Sequence, residues 1–213
     1  MLNVIEICRG LWYNCSIISA IIRSEGVSVK IESMQDYQNK IKRVVISKEE
    51  IDAAVKRAGR YIDSLYDGRP ILLVSILKGA FVFMADLCRA VTVPCEVGFM
   101  CAQSYFDSTE SSGSVRITMD LTQDISQYHV VIVEDIIDTG RTLCEVVKIL
   151  RGRNPLSLQV VTLLNKPSRR QVEFDADLAL ITIPDYFVIG YGLDCGEYFR
   201  NLPYIAEFNA EEE

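Results

Sequence analysis

The run Val130-Val-Ile-Val-Glu134-Asp135-Ile-Ile-Asp138-Thr139-Gly140-Arg141-Thr142-Leu143 decides the fold. Val130 to Val133 are uninterruptedly apolar, the pattern of a strand covered on both faces. The strand ends in two carboxylates, Glu134 and Asp135, and a short loop leads into a helix predicted over Gly140 to Arg151. In open α/β sheets ligands bind beyond the carboxyl ends of the strands. A turn containing Thr and Gly at a helix N-terminus points backbone N–H groups at an anion, and the helix dipole favours it. The loop therefore suits a monophosphate. Two adjacent carboxylates are poor partners for phosphate itself. They suit sugar hydroxyls, or water around a divalent cation. Phosphate, diol and metal within one loop describe a phosphorylated ribose. The competing reading is a capped helix after an acidic strand end, with no ligand.

Outward from this run, strand and helix alternate. Pro70 to Ile76 reads as a strand, and Gly79 to Val91 as a helix with Phe83, Leu87 and Val91 on one face. Val97 to Ala102 is a strand that gives way to the polar tract Ser104 to Ser114, which has the composition of a mobile loop. Val115 to Leu121 can return as a strand, making the tract the tip of a long hairpin. Leu158 to Leu164, Leu178 to Ile183 and Phe187 to Tyr191 complete the strands. Apolar strands between helices predict a parallel sheet flanked by helices. No internal repeat, low-complexity linker or second domain is visible.

Bulk properties narrow the function. The 213 residues fit one domain with a substantial core, and 49% hydrophobic with 24% charged residues is a globular composition. A formal net charge of -7 argues against a nucleic-acid surface, which needs clustered Lys and Arg. The seven cysteines show no Cys-x-x-Cys spacing, and Cys88, Cys95, Cys101 and Cys144 sit in apolar runs. That pattern predicts reduced thiols and a cytoplasmic protein. The single histidine, His129, excludes a multi-histidine metal site within one chain. It directly precedes the apolar run and reads as a strand-edge residue rather than a catalytic base.

The first 33 residues stand apart. Their apolar patch around Ile17 to Ile22 is far too short to span a bilayer, and no clear signal-peptide pattern is present. Met34 opens a polar lead-in, and Ser47 with Glu50 three residues on forms a capping box for a helix running to about Tyr66. The organised domain is therefore expected over 34–213. Residues 1–33 read as an extension of unknown role, loosely packed, or as a wrongly assigned start.

The strand, the two acids and the Thr-Gly turn resemble the type I phosphoribosyltransferases, and further motifs resemble their hypoxanthine-guanine branch. Leu77-Lys78-Gly79 is similar to that branch's pyrophosphate loop, in which the Leu–Lys peptide is cis. Ser104-Tyr105 with Thr109 to Gly113 is similar to its closing loop. Lys166 matches its purine-reading lysine. Ile183-Pro-Asp-Tyr-Phe187-Val188-Ile-Gly-Tyr-Gly-Leu-Asp194, then Glu197-Tyr-Phe-Arg200, matches its base-stacking and pyrophosphate-binding end. The likeness runs from Met34 to about Phe208. Phe106 departs from it, standing where bacterial relatives often have glycine.

The resemblance implies a mostly parallel sheet with a small hood and a flexible loop. It implies transfer of phosphoribosyl from phosphoribosyl pyrophosphate to a 6-oxopurine, with Mg2+ as cofactor, in a homodimer or homotetramer. Glu134, Asp135, Asp138, Thr139, Gly140, Arg141 and Thr142 would hold the ribose phosphate, with Asp138 exchanging a proton at N7. Leu77, Lys78, Gly79 and Arg200 would take pyrophosphate. Lys166, Phe187, Val188 and Asp194 would take the purine, and Glu134, Asp135 and Asp194 the metal. Ser104 and Tyr105 would belong to the lid. Each has a plainer reading: helix capping for Asp138, an exposed strand-end lysine for Lys166, core for Phe187, surface ion pairs for Asp194 and Arg200. Orotate or adenine transferases share the acidic loop, but Lys166 and the Phe187 to Asp194 tail argue against them. A nucleic-acid-binding regulator needs a basic face, and a phosphoribosyl pyrophosphate synthetase a longer, duplicated chain.

Overall fold

The computed structural model describes residues 31–104 and 115–210. In chain order its elements are α1 (Met34–Asn39), β1 (Ile41–Ile46), α2 (Lys48–Tyr66), β2 (Ile71–Leu77), α3 (Phe81–Ala90), β3 (Cys95–Ser104) and β4 (Val115–Met119). There follow β5 (His129–Ile137), α4 (Arg141–Arg151), β6 (Ser157–Asn165), β7 (Leu178–Thr182), β8 (Val188–Ile189) and β9 (Ile205–Phe208). Two single-turn 3-10 helices, Ile125–Gln127 and Pro167–Arg169, sit before β5 and after β6. The chain divides into two compact units, one of residues 52–184 and one that joins residues up to 51 with those from 185 on.

The larger unit carries a six-stranded sheet in the order β4-β3-β2-β5-β6-β7. All its pairings are parallel except β3 with β4. The predicted parallel sheet is thus present, and Val115 does return as an antiparallel edge strand. Val130, Val131, Ile132 and Val133 are fully buried, as an apolar run in a doubly covered strand requires. Helix α4 places Leu143, Val146, Val147 and Leu150 in the core, the i, i+3, i+4, i+7 stripe of an amphipathic helix. The same spacing buries Ile51, Ala54, Val55, Ala58 and Ile62 of α2. The capping box of α2 is formed both ways: Ser47 N donates to Glu50 Oε2 at 2.8 Å, and Glu50 N to Ser47 Oγ at 3.2 Å.

His129 opens β5 and places Nδ1 2.8 Å from Ser157 Oγ, while burial lowers its pKa. It is the strand-edge residue expected. The described cysteines, Cys88, Cys95, Cys101, Cys144 and Cys195, are free thiols. No helix among the described residues is long and apolar enough to cross a membrane.

The smaller unit holds elements the sequence did not announce. The polar lead-in after Met34 is a helix, α1, capped by Ser33, and then a strand, β1. β1 pairs antiparallel with β9, and β9 with β8, making a three-stranded sheet of its own. The segment Phe187 to Tyr191 thus joins this second sheet rather than the parallel one, and only Val188 and Ile189 have strand pairing. Phe199, Ile189, Cys195, Leu202 and Ala206 form the unit's core, with Ile31, Tyr37 and Phe208 packed against it. Tyr37 stacks on Phe199 at 4.4 Å between centroids, and Phe208 meets Phe199 edge-on.

Candidate active site

In the larger unit the site residues gather where β2, β5 and β6 end. β5 extends past the apolar run to Ile137, so Glu134 and Asp135 are strand residues with alternating burial. Glu134 Oε2 is buried and has no hydrogen-bond partner. Burial, and then the neighbouring Asp135 charge, push the Glu134 carboxyl well above the ordinary glutamate range. Asp135 is buried as well, with Oδ1 accepting from Ile136 N at 2.8 Å.

The Leu77-Lys78-Gly79 loop lies directly against Asp135. The Leu77–Lys78 peptide is cis, the form the resemblance implied. A Cβ on residue 79 would overlap the Asp135 carboxylate, so only glycine permits this approach. Lys78 itself is exposed.

Beyond β5, Asp138 and Thr139 are both 5% exposed. Gly140 is the N-cap of α4, with φ +79°, and offers no capping side chain. The capping explanation for Asp138 therefore fails. The carboxylate instead accepts from Arg169 Nε at 3.3 Å. Thr139 Oγ1 accepts weakly from Arg141 N at 3.4 Å, so the first turn of α4 opens on a loop rather than on a capping carboxylate. Arg141 is exposed and Thr142 half-buried.

A second segment is laced to this loop. Lys166 N donates to Ile137 O and Gln171 N to Thr139 O, each at 3.0 Å. Arg170 Nη1 donates to the Asp138 carbonyl at 2.7 Å, and its Nη2 to Asn165 Oδ1 at 2.6 Å. Lys166 is only 2% exposed, which removes the exposed-lysine reading. A lysine buried this far is rare without a partner or a task. Asn165, Arg169, Arg170 and Gln171 were missed from sequence. The Pro-Ser-Arg-Arg run beside Lys166 was the available signal.

In the smaller unit Phe187 is half-buried, with its ring edge-on to Phe208 at 5.5 Å, and Val188 is buried in β8. The turn after β8 has positive φ at Gly190, Tyr191 and Gly192. It ends at an ion pair: Arg200 Nη2 lies 2.8 Å from Asp194 Oδ1 and 3.0 Å from Glu197 Oε2. Arg200 Nη1 donates to Gly192 O at 2.8 Å, and Nε is buried without a partner. Asp194 Oδ2 also accepts from Glu197 N at 2.9 Å. The carboxylate expected to face a metal thus faces a cation of the protein. The pair is no loose surface bridge, its side chains being only 14% and 17% exposed.

Among the described residues no three His, Cys, Asp or Glu side chains converge as a metal cage. Ser104 ends β3, paired with Val115. Tyr105 and the rest of the 105–114 tract lie outside the described residues, as does the segment 1–30.

Residues 41–195 match the model of the phosphoribosyl transferase domain. A hypoxanthine-guanine phosphoribosyltransferase of Streptococcus pneumoniae is 45% identical over 174 residues, spanning 82% of this chain and 97% of the relative. A hypoxanthine phosphoribosyltransferase of Salmonella typhimurium is 47% identical over 166 residues, 77% of this chain and 93% of its own. The crystal structure of a hypoxanthine phosphoribosyltransferase from Staphylococcus aureus superposes with a TM-score of 0.79 at 40% identity. It covers 85% of this chain and 98% of its own.

Proposed function

The chain belongs to the phosphoribosyltransferase family, in its hypoxanthine-guanine branch, and we propose that it makes IMP or GMP for purine salvage. The 5-phosphoribosyl group of phosphoribosyl pyrophosphate passes to hypoxanthine or guanine, and pyrophosphate leaves. The observation that carries this reading is the segment from Glu134 to Thr142, with Asp135, Asp138 and Thr139 buried, laced to buried Lys166.

The unpartnered Glu134 Oε2 is an acceptor awaiting a donor. A ribose hydroxyl, or water on a hydrated cation, satisfies it. Magnesium is commonly held by one or two carboxylates plus substrate oxygens and water, so the Glu134–Asp135 pair fits it without a protein cage. Bound magnesium would neutralise the leaving pyrophosphate and orient the sugar.

The remaining roles belong to the chain itself. The N–H groups opening α4, with the Thr139 and Thr142 hydroxyls and Arg141, hold the 5'-phosphate. The Leu77-Lys78-Gly79 backbone and Arg200 hold pyrophosphate. Lys166 donates to the carbonyl oxygen of a 6-oxopurine and finds no acceptor in the amino group of adenine. Phe187 stacks on the base, Val188 reads its edge, and Asp138 exchanges a proton at N7. Ser104 and Tyr105 contribute to a lid that keeps water from the reacting carbon. Asp194 orients Arg200 through their ion pair, and we assign it to the metal and the purine edge as well. We assign the domain to 34–213, with Ile31 packed on its core and Ser33 capping its first helix, and place the enzyme in the cytoplasm as a homodimer or homotetramer.

The test is pyrophosphate release from phosphoribosyl pyrophosphate with hypoxanthine, guanine, xanthine, adenine or orotate, with and without magnesium. Release with a 6-oxopurine and metal alone is expected. Preference for adenine or orotate overturns the assignment of the branch.

A further inference from the structure

A buried carboxylate needs a charged or hydrogen-bonding partner to remain in place. Asp138 is not a helix cap, because Gly140 takes that position. Its carboxylate makes one hydrogen bond among the described residues, from Arg169 Nε to Oδ1 at 3.3 Å, with side chains 14% and 4% exposed. The backbone at Asp138 is held separately, by Arg170 Nη1 on its carbonyl. Arg170 also bonds Asn165, and its Cδ lies against Gly140. Two adjacent arginines on one short turn thus grip different parts of the same residue. One holds the side chain and the other the main chain.

We propose that Arg169 is a positioning residue for transfer, orienting the Asp138 carboxylate, while Arg170 supports the loop that carries it. The inference rests on the reading of Asp138 as the proton-exchanging group. A single N–H from Nε on Oδ1 fixes one oxygen and leaves Oδ2 to meet the base. Without it the carboxylate can rotate about its terminal torsion, which is broad for aspartate. Misplacement of a reacting group by about 1 Å is enough to cost on the order of 100-fold in rate.

The experiment is a double-mutant cycle in the full chain with Arg169→Gln and Asp138→Asn, read as kcat, KM for phosphoribosyl pyrophosphate, and Tm. Arg169→Gln is expected to lower kcat about 10- to 100-fold with KM and Tm close to wild type. Arg169→Lys should restore part of the loss. In the Asp138→Asn background Arg169→Gln should cost nothing more, because its effect runs through a carboxylate already gone. An equal loss in that background, or wild-type kcat in Arg169→Gln beside an impaired Asp138→Asn, overturns the proposal alone. Wild-type kcat in Asp138→Asn overturns the underlying reading and the proposal with it. Should Arg169→Gln fold poorly, the cycle is run with Arg169→Lys, where a loss undiminished by Asp138→Asn overturns it equally.

Discussion

In the larger unit half-buried Glu134 lies beside another acid with its Oε2 buried and unpartnered, whereas in the smaller unit Glu207 lies under two cations. Lys42 Nζ and Arg43 Nε reach Glu207 at 2.9 and 2.8 Å. The first carboxyl is pushed up in pKa by burial and its neighbour; the second is drawn down by hydrogen bonds from Lys42 and Arg43. One carboxyl lacks a partner that would favour its charge, and the other is compensated from within. Uncompensated buried charge destabilises the free protein, and a bound ligand recovers that free energy. On the function proposed above, the difference separates the residues that wait for substrate from those that hold the fold.

The largest expected effect is at Asp138. Asp138→Asn keeps the size and removes the proton acceptor, so kcat should fall by about 10²- to 10⁴-fold. Because Gly140 rather than Asp138 caps α4, Tm should hardly move. A fall in Tm with kcat preserved would return Asp138 to a scaffolding role and erase the contrast with Glu207.

Glu134→Gln sharpens the comparison from the other side. A raised carboxyl pKa makes the folded state hold its proton longer than the unfolded chain. Stability from this group is therefore complete below the ordinary glutamate pKa and is lost as pH rises through the folded value. The Gln variant, free of ligand and metal, should melt as wild type does in acid and higher than wild type at neutral pH, by about 1–3 kcal/mol. Its affinity for phosphoribosyl pyrophosphate, measured by calorimetry, should weaken. A Gln variant less stable at neutral pH would mean that Glu134 has a structural partner.

How much of this was legible follows the same division. The apolar run from Val130, the stripe of α4 and the Ser47–Glu50 box announce themselves, since each satisfies its own local rule within a few residues. The acids of the larger unit drew attention because they follow that apolar run, although β5 itself continues to Ile137. The smaller unit was not legible, and its chemistry explains why. β1 reads Ile-Lys-Arg-Val-Val-Ile, with register shifts against β9 that break the period-two signal, and β8 pairs through only two residues. Asp194 and Arg200 were named from resemblance, but their mutual ion pair depends on the turn at Gly190 to Gly192, which no periodicity encodes. Arg169 was invisible for a similar reason. Its importance lies in where a 3-10 turn aims it.

Ser33 tests the smaller unit's edge. Its hydroxyl accepts from Asp36 N at 3.1 Å, and Ile31 packs on the unit's core. Ser33→Ala should cost about 1 kcal/mol in Tm-derived stability. A chain beginning at Met34 loses both features and should melt below one beginning at Ile31. Equal melting would place α1 outside the unit's cooperative core.

The smallest effect is expected at Glu207, where the comparison began. Its lowered pKa means that the stability it supplies is present above the ordinary glutamate pKa and is lost as pH falls through the folded value. Lys42 and Arg43 are more than half exposed, so water and salt screen the attraction. Glu207→Gln should therefore lower Tm at neutral pH by no more than about 4 °C, and the gap should close on acidification. Added salt should shrink it too. Arg43 also lies over the Tyr186 ring at 4.9 Å, so it keeps a second contact when the carboxylate is removed. The two Gln variants should thus have opposite signs at neutral pH, Glu134→Gln gaining stability and Glu207→Gln losing it. Melting curves of both across the acid-to-neutral range read that sign directly. If both variants lose stability at neutral pH, burial without compensation does not distinguish the substrate-facing acid from the scaffolding one.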